Sequence, residues 1–482
     1  MSRRRALGSL ALALGASACA VGPNFRPPAT PAPASAPFVS AAPAIATADA
    51  PPVDWWRLYD DPTLDGLVKE ALTENQDLKV AAANLLKARG VLQQAKAGLF
   101  PTTDLSFGET WGESSVDQLI TSINGEKFPP GWGGAGAFNV SYELDIFGHI
   151  RRSIQAAHAD AEATAEAENV VRITVAAETA RAYADACAFA EQAAIARASA
   201  ATAKSVLDLT TRQRDLGARS DFDVASAAAT LDAVRAAIPT FDGEQRAQLF
   251  ELAVLTGRPP AEISAAAAAC KTPPLIRQAL PVGDGAALLR RRPDVLEAER
   301  TLAGDTARIG VATADFFPTV SLTGSGGSSG ASIGQFTSAE SFNYQLGPLI
   351  TWSFPNILVA HAEVIQAKAQ ASASIAAFNS VVLTALKETE QALTTYQAEL
   401  ARHAALTAGR DDNQRAFDLA QIQLQHGSIS FPDLLVTERS LDSAEADLAA
   451  SDQALVDDQV AVFQSLGGGW ENAPPVIPPK AP

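Results

Sequence analysis

Ala97-Gly98-Leu99-Phe100-Pro101-Thr102 and Ala314-Asp315-Phe316-Phe317-Pro318-Thr319 are two forms of one phrase, 217 residues apart from Pro101 to Pro318. Gly217 precedes Gly257 by 40 positions, and Gly427 precedes Gly467 by the same 40. Asp223 and Asp433 each stand six residues beyond the first glycine of their pair. A long pattern stated twice predicts two halves built on one plan. The text between these markers fills in the plan: helix, strands, long helix, turn, helix.

The long helices are read from what is missing. Between Gly148 and Gly217 there is no Gly and no Pro, and Ala, Glu, Arg and β-branched residues recur at helical spacing. Roughly 65 residues at 1.5 Å each make a helix of about 100 Å. A second such segment runs from His361 to His426, interrupted only by Gly409. No compact globule buries helices that long, so they imply a coiled bundle or tube.

Strands follow each copy of the opening phrase. Leu105, Phe107 and Trp111 alternate with Ser106, Gly108 and Thr110, and Phe138, Val140, Tyr142 and Leu144 alternate with Asn139, Ser141, Glu143 and Asp145. The second half gives Val320 and Leu322, then Phe342, Tyr344, Leu346, Ile350, Trp352 and Phe354. Such alternation over about ten residues suits a transmembrane barrel strand, apolar toward lipid and polar toward the lumen. A soluble antiparallel sheet with one wet face produces the same pattern. The N-terminal membrane signal described below favours the barrel. Four strands cannot close a barrel, and an open edge does not survive in lipid. Three chains giving twelve strands would close it. The connections Gly112 to Gly134 and Gly324 to Glu340 are Gly/Ser-rich or polar and suit outward-facing loops.

The N-terminus reads as a secretory signal ending in a lipid-attachment site. Arg3, Arg4 and Arg5 precede a short apolar stretch from Ala6 to Ala18, too short to span a bilayer. Ala16, Ser17 and Ala18 then lead into Cys19, a lipobox-like order in which Ala16 replaces the usual Leu. Ala20 after the cysteine, rather than Asp, fits delivery to the outer membrane. From Pro23 to Pro52 the chain is dense in Pro and Ala, so it forms no helix and runs extended over a neighbouring surface. Order is expected to begin near Asp54-Trp55-Trp56.

Composition narrows the function. With 37 Lys+Arg against 54 Asp+Glu the net charge is -17, which repels phosphate and excludes a nucleic-acid partner. His149, His158, His361, His403 and His426 lack metal-ligand spacing, and there is no Cys cluster. Gly324-Ser-Gly-Gly-Ser-Ser-Gly330 lacks the Lys-Ser/Thr of a phosphate loop and reads as a flexible hairpin. Cys187 falls mid-helix and Cys270 in a linker; in an oxidising compartment they are either free or joined. No nucleophile–base pair is evident, so no enzyme is expected. Leu216-Gly217-Ala218-Arg219-Ser220 and Gly427-Ser428-Ile429-Ser430 read as helix C-caps each followed by a new N-cap.

Six stretches carry a resemblance. They are Cys19-Ala-Val-Gly-Pro-Asn-Phe-Arg-Pro-Pro28, Trp55-Trp56, Tyr142-Glu-Leu-Asp-Ile-Phe-Gly148, Leu252-Ala-Val-Leu-Thr-Gly-Arg-Pro-Pro260, Arg291-Arg-Pro-Asp-Val295 with Ala298-Glu299-Arg300, and Gly467-Gly-Gly-Trp470. Together they resemble the TolC-like outer-membrane factors of tripartite efflux systems, in the NodT/OprM lipoprotein branch. The resemblance implies a mixed, mainly α homotrimer: a twelve-stranded transmembrane β-barrel, a long periplasmic α-helical barrel and an equatorial domain. It implies docking on a periplasmic adaptor and a proton-driven inner-membrane pump, with no cofactor beyond the covalent lipid on Cys19.

The same resemblance places the two turns at the periplasmic tip, in contact with the adaptor. It makes Asp223, Asp433, Arg439, Phe431, Pro432 and Val436 the candidate gate. Val436 stands where the family often has another Asp, and Pro432 where an aliphatic residue is usual. A trimer axis repeats any inward carboxylate three times, which concentrates a field for cations. Arg439 is six residues past Asp433, too far round for a pair on one helix, so Asp223 on a neighbouring helix is its expected partner. The plan is then a signal peptide over 1–18, a lipid-anchored tether over 19–53, a first repeat over 54–270, a second repeat with equatorial segments over 271–475, and a tail over 476–482. The expected function is passive efflux of drugs or other small molecules. A type I protein secretion duct and a structural coiled-coil envelope lipoprotein are the alternatives.

Overall fold

The structure, a computed structural model, describes residues 20–29, 36–43, 45–113, 115–125, 129–330, 338–352 and 357–479. Cys19 and Phe354 lie outside the described residues. In chain order the elements are β1 (Ala46–Thr47), α1 (Pro62–Glu74), α2 (Gln76–Ala97), β2 (Thr102–Gly112), α3 (Ser115–Asn124), β3 (Gly131–Leu144), α4 (His149–Asp215), α5 (Asp221–Leu255), α6 (Ala265–Ala268) and β4 (Leu280–Pro281). There follow α7 (Gly285–Arg291), α8 (Pro293–Ala314), β5 (Thr319–Gly330), β6 (Phe342–Thr351), α9 (Ile357–Gln425) and α10 (Phe431–Ser465). The long helices α4 and α9 have 67 and 69 residues, and α5 and α10 have 35 each. Gly409 does not break α9, which runs through it without interruption from Ile357 to Gln425.

The chain forms two compact units. The first takes Met1–Pro27, Leu86–Ala163 and Glu299–Ala377; the second takes Pro28–Leu85, Thr164–Ala298 and Phe378–Pro482. The first holds one antiparallel sheet in the order β2-β3-β5-β6. Its register pairs Leu105 with Phe138, Phe138 with Gly326, and Gly326 with Tyr344. The ends of the two stretches expected as outward loops are strand instead, at 131–134 and 324–330: β3 already begins at Gly131 and β5 continues to Gly330. The Gly/Ser run of β5 pairs along its length because its neighbours carry the bulk. A Cβ on Gly324 would sit 3.3 Å from Leu346 Cδ1, and one on Gly327 only 2.7 Å from the Gly136 carbonyl. The β2–β3 connection contains α3 rather than loop alone.

The second unit is organised around Trp55, which is fully buried and stacks on Phe463 with ring centroids 5.0 Å apart. Leu64, Val68, Leu72, Leu78, Ala176, Ala180, Leu252 and Val460 complete this core. Asp61 caps α1 by accepting from the Thr63 and Leu64 amides, and its second oxygen accepts from Tyr183 Oη at 2.8 Å. Order begins well before Asp54, contrary to expectation. Phe38 and Ile45 are buried, β1 pairs in parallel with β4, and the Val39 and Ser40 amides donate to Glu390 at 2.7 and 2.9 Å. A tether without helix propensity is still fixed when its few apolar side chains find a core.

Candidate functional site

The sheet has two chemically different faces. Directly paired residues point the same way, so one face carries Leu105, Phe107, Trp111, Trp132, Phe138, Val140, Tyr142, Leu144, Leu322, Phe342, Tyr344, Leu346 and Ile350. The other carries Asp104, Ser106, Asn139, Ser141, Glu143, Ser325, Asn343 and Gln345. Large apolar groups that should be buried in water are mostly bare: Leu105 and Tyr344 are each 80% exposed. A face of that kind needs lipid or another chain against it.

The two turns are built alike from local chemistry. Gly217 (φ 79°) and Gly427 (φ 69°) adopt the left-handed conformation that ends a helix. Behind them the Ala218 amide donates to Gln213 O at 2.8 Å and the Ser428 amide to Gln423 O at 2.9 Å. Ser220 and Ser430 then cap α5 and α10. In each reciprocal capping box the serine amide donates back to the aspartate, to Asp223 at 3.0 Å and to Asp433 at 3.0 Å. The serine hydroxyls donate to the same carboxylates at 2.9 and 2.5 Å. These bonds hold both carboxylates below the ordinary range, led by the Ser220 amide at Asp223 and by the Ser430 hydroxyl at Asp433.

Within the chain the expected Arg439–Asp223 pair does not form. Arg439 does reach a neighbouring helix, but its Nη2 donates to Thr230 Oγ1 at 2.6 Å, while Asp223 is taken up by its own cap. Phe431 does not line an opening either. It is buried with Leu434, Leu435, Phe417 and Ala420, beneath the Arg219 guanidinium 5.1 Å from its ring centroid. Pro432 occupies the first turn of α10, where its missing N–H costs nothing, and Val436 is exposed. Leu216 of the first turn and Phe222 just past it are also exposed; Phe222 was not singled out from sequence, although a bulky apolar residue beside a cap was the available signal.

Three further features were not legible. Cys187 and Cys270 are joined, with Cα atoms 5.1 Å apart. Arg291 and Arg292 cap the end of α10, donating to Leu466 O at 2.5 Å and Ser465 O at 2.9 Å, and Arg292 also binds Asp294 and Glu388. Gly467 lies against Arg292, which explains why the Arg291-Arg-Pro-Asp run and the Gly-Gly-Gly-Trp ending occur together. Glu438 is 1% exposed, and neither of its oxygens has a hydrogen-bond partner among the described residues.

Burial first, then the neighbouring Asp442, pushes the Glu438 carboxyl up to about 7, with Arg439 opposing. The folded chain therefore holds this proton more tightly than the unfolded chain does. Its contribution is fully present below the ordinary glutamate range and is lost as pH rises through about 7. Glu438→Gln should therefore be more stable than the parent near pH 8, by about 1–3 kcal/mol, and no more stable near pH 4. Denaturant midpoints measured at both pH values check this; an equal midpoint shift at each would remove the titration.

The profile of the family described as "Outer membrane efflux protein" matches residues 67–258 and 286–468. The chain belongs to this family. Nodulation protein T of Rhizobium leguminosarum bv. trifolii is 28% identical over 94% of this chain and 95% of its own length. The probable efflux pump outer membrane protein TtgC of Pseudomonas putida is 27% identical over 94% and 93%. The solved outer-membrane channel OprN superposes with a TM-score of 0.86 at 32% identity, covering 94% of this chain and all of that one. As an outer membrane efflux protein the chain resides in the outer membrane, with a large periplasmic portion.

Proposed function

We propose that three copies of this chain form a passive outer-membrane duct that carries drugs or other small molecules outward from a periplasmic adaptor and a proton-driven inner-membrane pump. The observation that carries the reading is the sheet. It has one mainly apolar face, interrupted by Thr103, Glu109 and Ser328, one polar face, and two outer strands, β2 and β6, with no partner beyond them among the described residues. Open edges are untenable in lipid, and joining β6 of one copy to β2 of the next removes all of them at once. Twelve strands would then surround a lumen lined by Asp104, Ser141, Asn343 and Gln345. The two halves are read as copies of one plan, and α4, α5, α9 and α10 as the staves of a periplasmic tube.

The Gly217 and Gly427 turns are its tip, where exposed Leu216 and Phe222 offer the adaptor an apolar contact. Outer-membrane fractions should contain a trimer that resists detergent and collapses to a single chain on boiling. A form that runs as a single chain before heating would speak for the coiled-coil lipoprotein instead.

Asp223, Asp433 and Arg439 are proposed as the charged groups of the gate. Arg439→Ala should raise resting leak, because its anchor on Thr230 ties α10 to α5. Asp433→Ala should lower cation preference, and it also removes a cap worth about 1 kcal/mol. Leak conductance and reversal potential under a salt gradient decide both; unchanged values in the two variants would make these ordinary surface charges.

A further inference from the structure

We infer that Gly22, Gly148, Gly310 and Arg152 form a seat for the segment behind Cys19, so that the acyl anchor and the strands enter the membrane in fixed register. The inference rests on the reading of Cys19 as the lipid carrier; it adds where that anchor is held and by which residues.

The contact is backbone against backbone. A Cβ on Gly22 would meet the Gly310 Cα at 2.4 Å, and one on Gly148 would meet the Ala20 Cα at 2.7 Å. Gly22 and Gly148 also hold φ values of 87° and 84°, which other residues rarely adopt. The Val21 amide donates to Phe147 O at 3.1 Å, tying the segment to the chain that leaves β3. Gly310 does double service, because a Cβ there would stand 2.7 Å from Arg152 Cδ.

Arg152 is the clamp. It is 4% exposed, and its Nε and Nη2 donate to the Val21 and Gly22 carbonyls at 2.9 and 3.0 Å. Its Nη1 donates to Gln155 Oε1 at 2.9 Å. These acceptors are neutral, so a buried guanidinium depends on two carbonyls of the N-terminal segment for its hydrogen bonds. Releasing the segment strips the charge of those partners, which makes docking favourable and specific.

The position gives the seat its use. Gly148 follows Leu144, the last residue of β3, by four positions, and Phe147 stacks on Phe317 at 4.4 Å beside it. Transmembrane barrels carry girdles of aromatic side chains at both membrane–water boundaries. Consecutive Cα atoms are about 3.8 Å apart, so a lipid on the residue before Ala20 stays at this level while Ala20 is seated.

Gly22→Ala and Arg152→Gln test the seat in the full-length protein, each also made in a Cys19→Ser background. Gly22→Ala alters only the tether, so it separates loss of the seat from failure of the body to fold. Acyl mass on the N-terminal peptide should persist in both variants. Hydrogen exchange at the Val21 amide should become about tenfold faster or more. The fraction of membrane-inserted, heat-modifiable trimer should fall severalfold. In the Cys19→Ser background the exchange effect should remain, while the trimer fraction shows no further loss. Unchanged exchange in Arg152→Gln would overturn the clamp, and an equal trimer loss without the lipid would reduce the seat to general structure. A lipid-free N-terminus in the parent would overturn the reading of Cys19, and that appears in the mass alone.

Discussion

Arginine at Tyr344 should nearly abolish recovery of the trimer from the outer membrane, whereas arginine at Asn343 should leave it largely intact. The two positions are adjacent, yet they face opposite sides of β6. Tyr344 lies in the row Leu105, Phe138, Gly326, Tyr344, which crosses β3 and β5 near their middles. A cation on the lipid face at mid-membrane costs about 2–4 kcal/mol, and a trimer carries three copies of it. Asn343 shares its face with Ser106, Ala137 and Gly327, and a charge on the lumen side stays hydrated. Heat-modifiable trimer quantified in outer-membrane fractions reads out both variants. If Asn343→Arg were the more damaging, the assignment of faces would be reversed by one residue.

Cys187→Ala should have the second-largest effect, on stability rather than insertion. The bond closes a loop of 83 residues that runs down α4, round the Gly217 turn, back up α5 and into the linker after it. In chain-entropy terms a loop of that length contributes about 2–5 kcal/mol. Cys187 is wholly buried in the core of the second unit, so alanine also leaves a small void there. The unfolding midpoint of Cys187→Ala should fall, and a reducing agent should shift the parent by a similar amount while leaving the variant unmoved. A parent insensitive to reductant once unfolded would show that the two thiols are not joined.

The helices were legible because their signal is local: an absence of Gly and Pro over more than sixty residues admits almost nothing else. The strands were legible wherever side chains alternate, as at Phe138-Asn139-Val140-Ser141. β5 was legible only at Val320 and Leu322, because Gly324 to Gly330 has no pattern of its own and becomes strand through what Phe138, Tyr344 and Leu346 place around it. The caps at Ser220 and Ser430 are equally local and were read correctly. Beyond them the gate depends on helix phase. Whether Phe431 turns toward a lumen or into the Leu434–Leu435 core is set by the neighbouring helix, which no spacing within α10 specifies. The same holds for Arg439, which reaches the expected kind of element and a different residue on it. The union of Cys187 with Cys270 and the unpartnered burial of Glu438 are tertiary facts with no sequence periodicity to announce them.

Single-channel recording on purified protein decides whether the chain is a conducting duct. Trimers added to a planar bilayer should produce stepwise currents with one dominant, small resting conductance and a preference for cations over anions. Arg439→Ala should raise that resting conductance without changing the number of steps. A protein that associates with the bilayer through its lipid yet never yields discrete current steps, in the parent or in Arg439→Ala, would not be a duct.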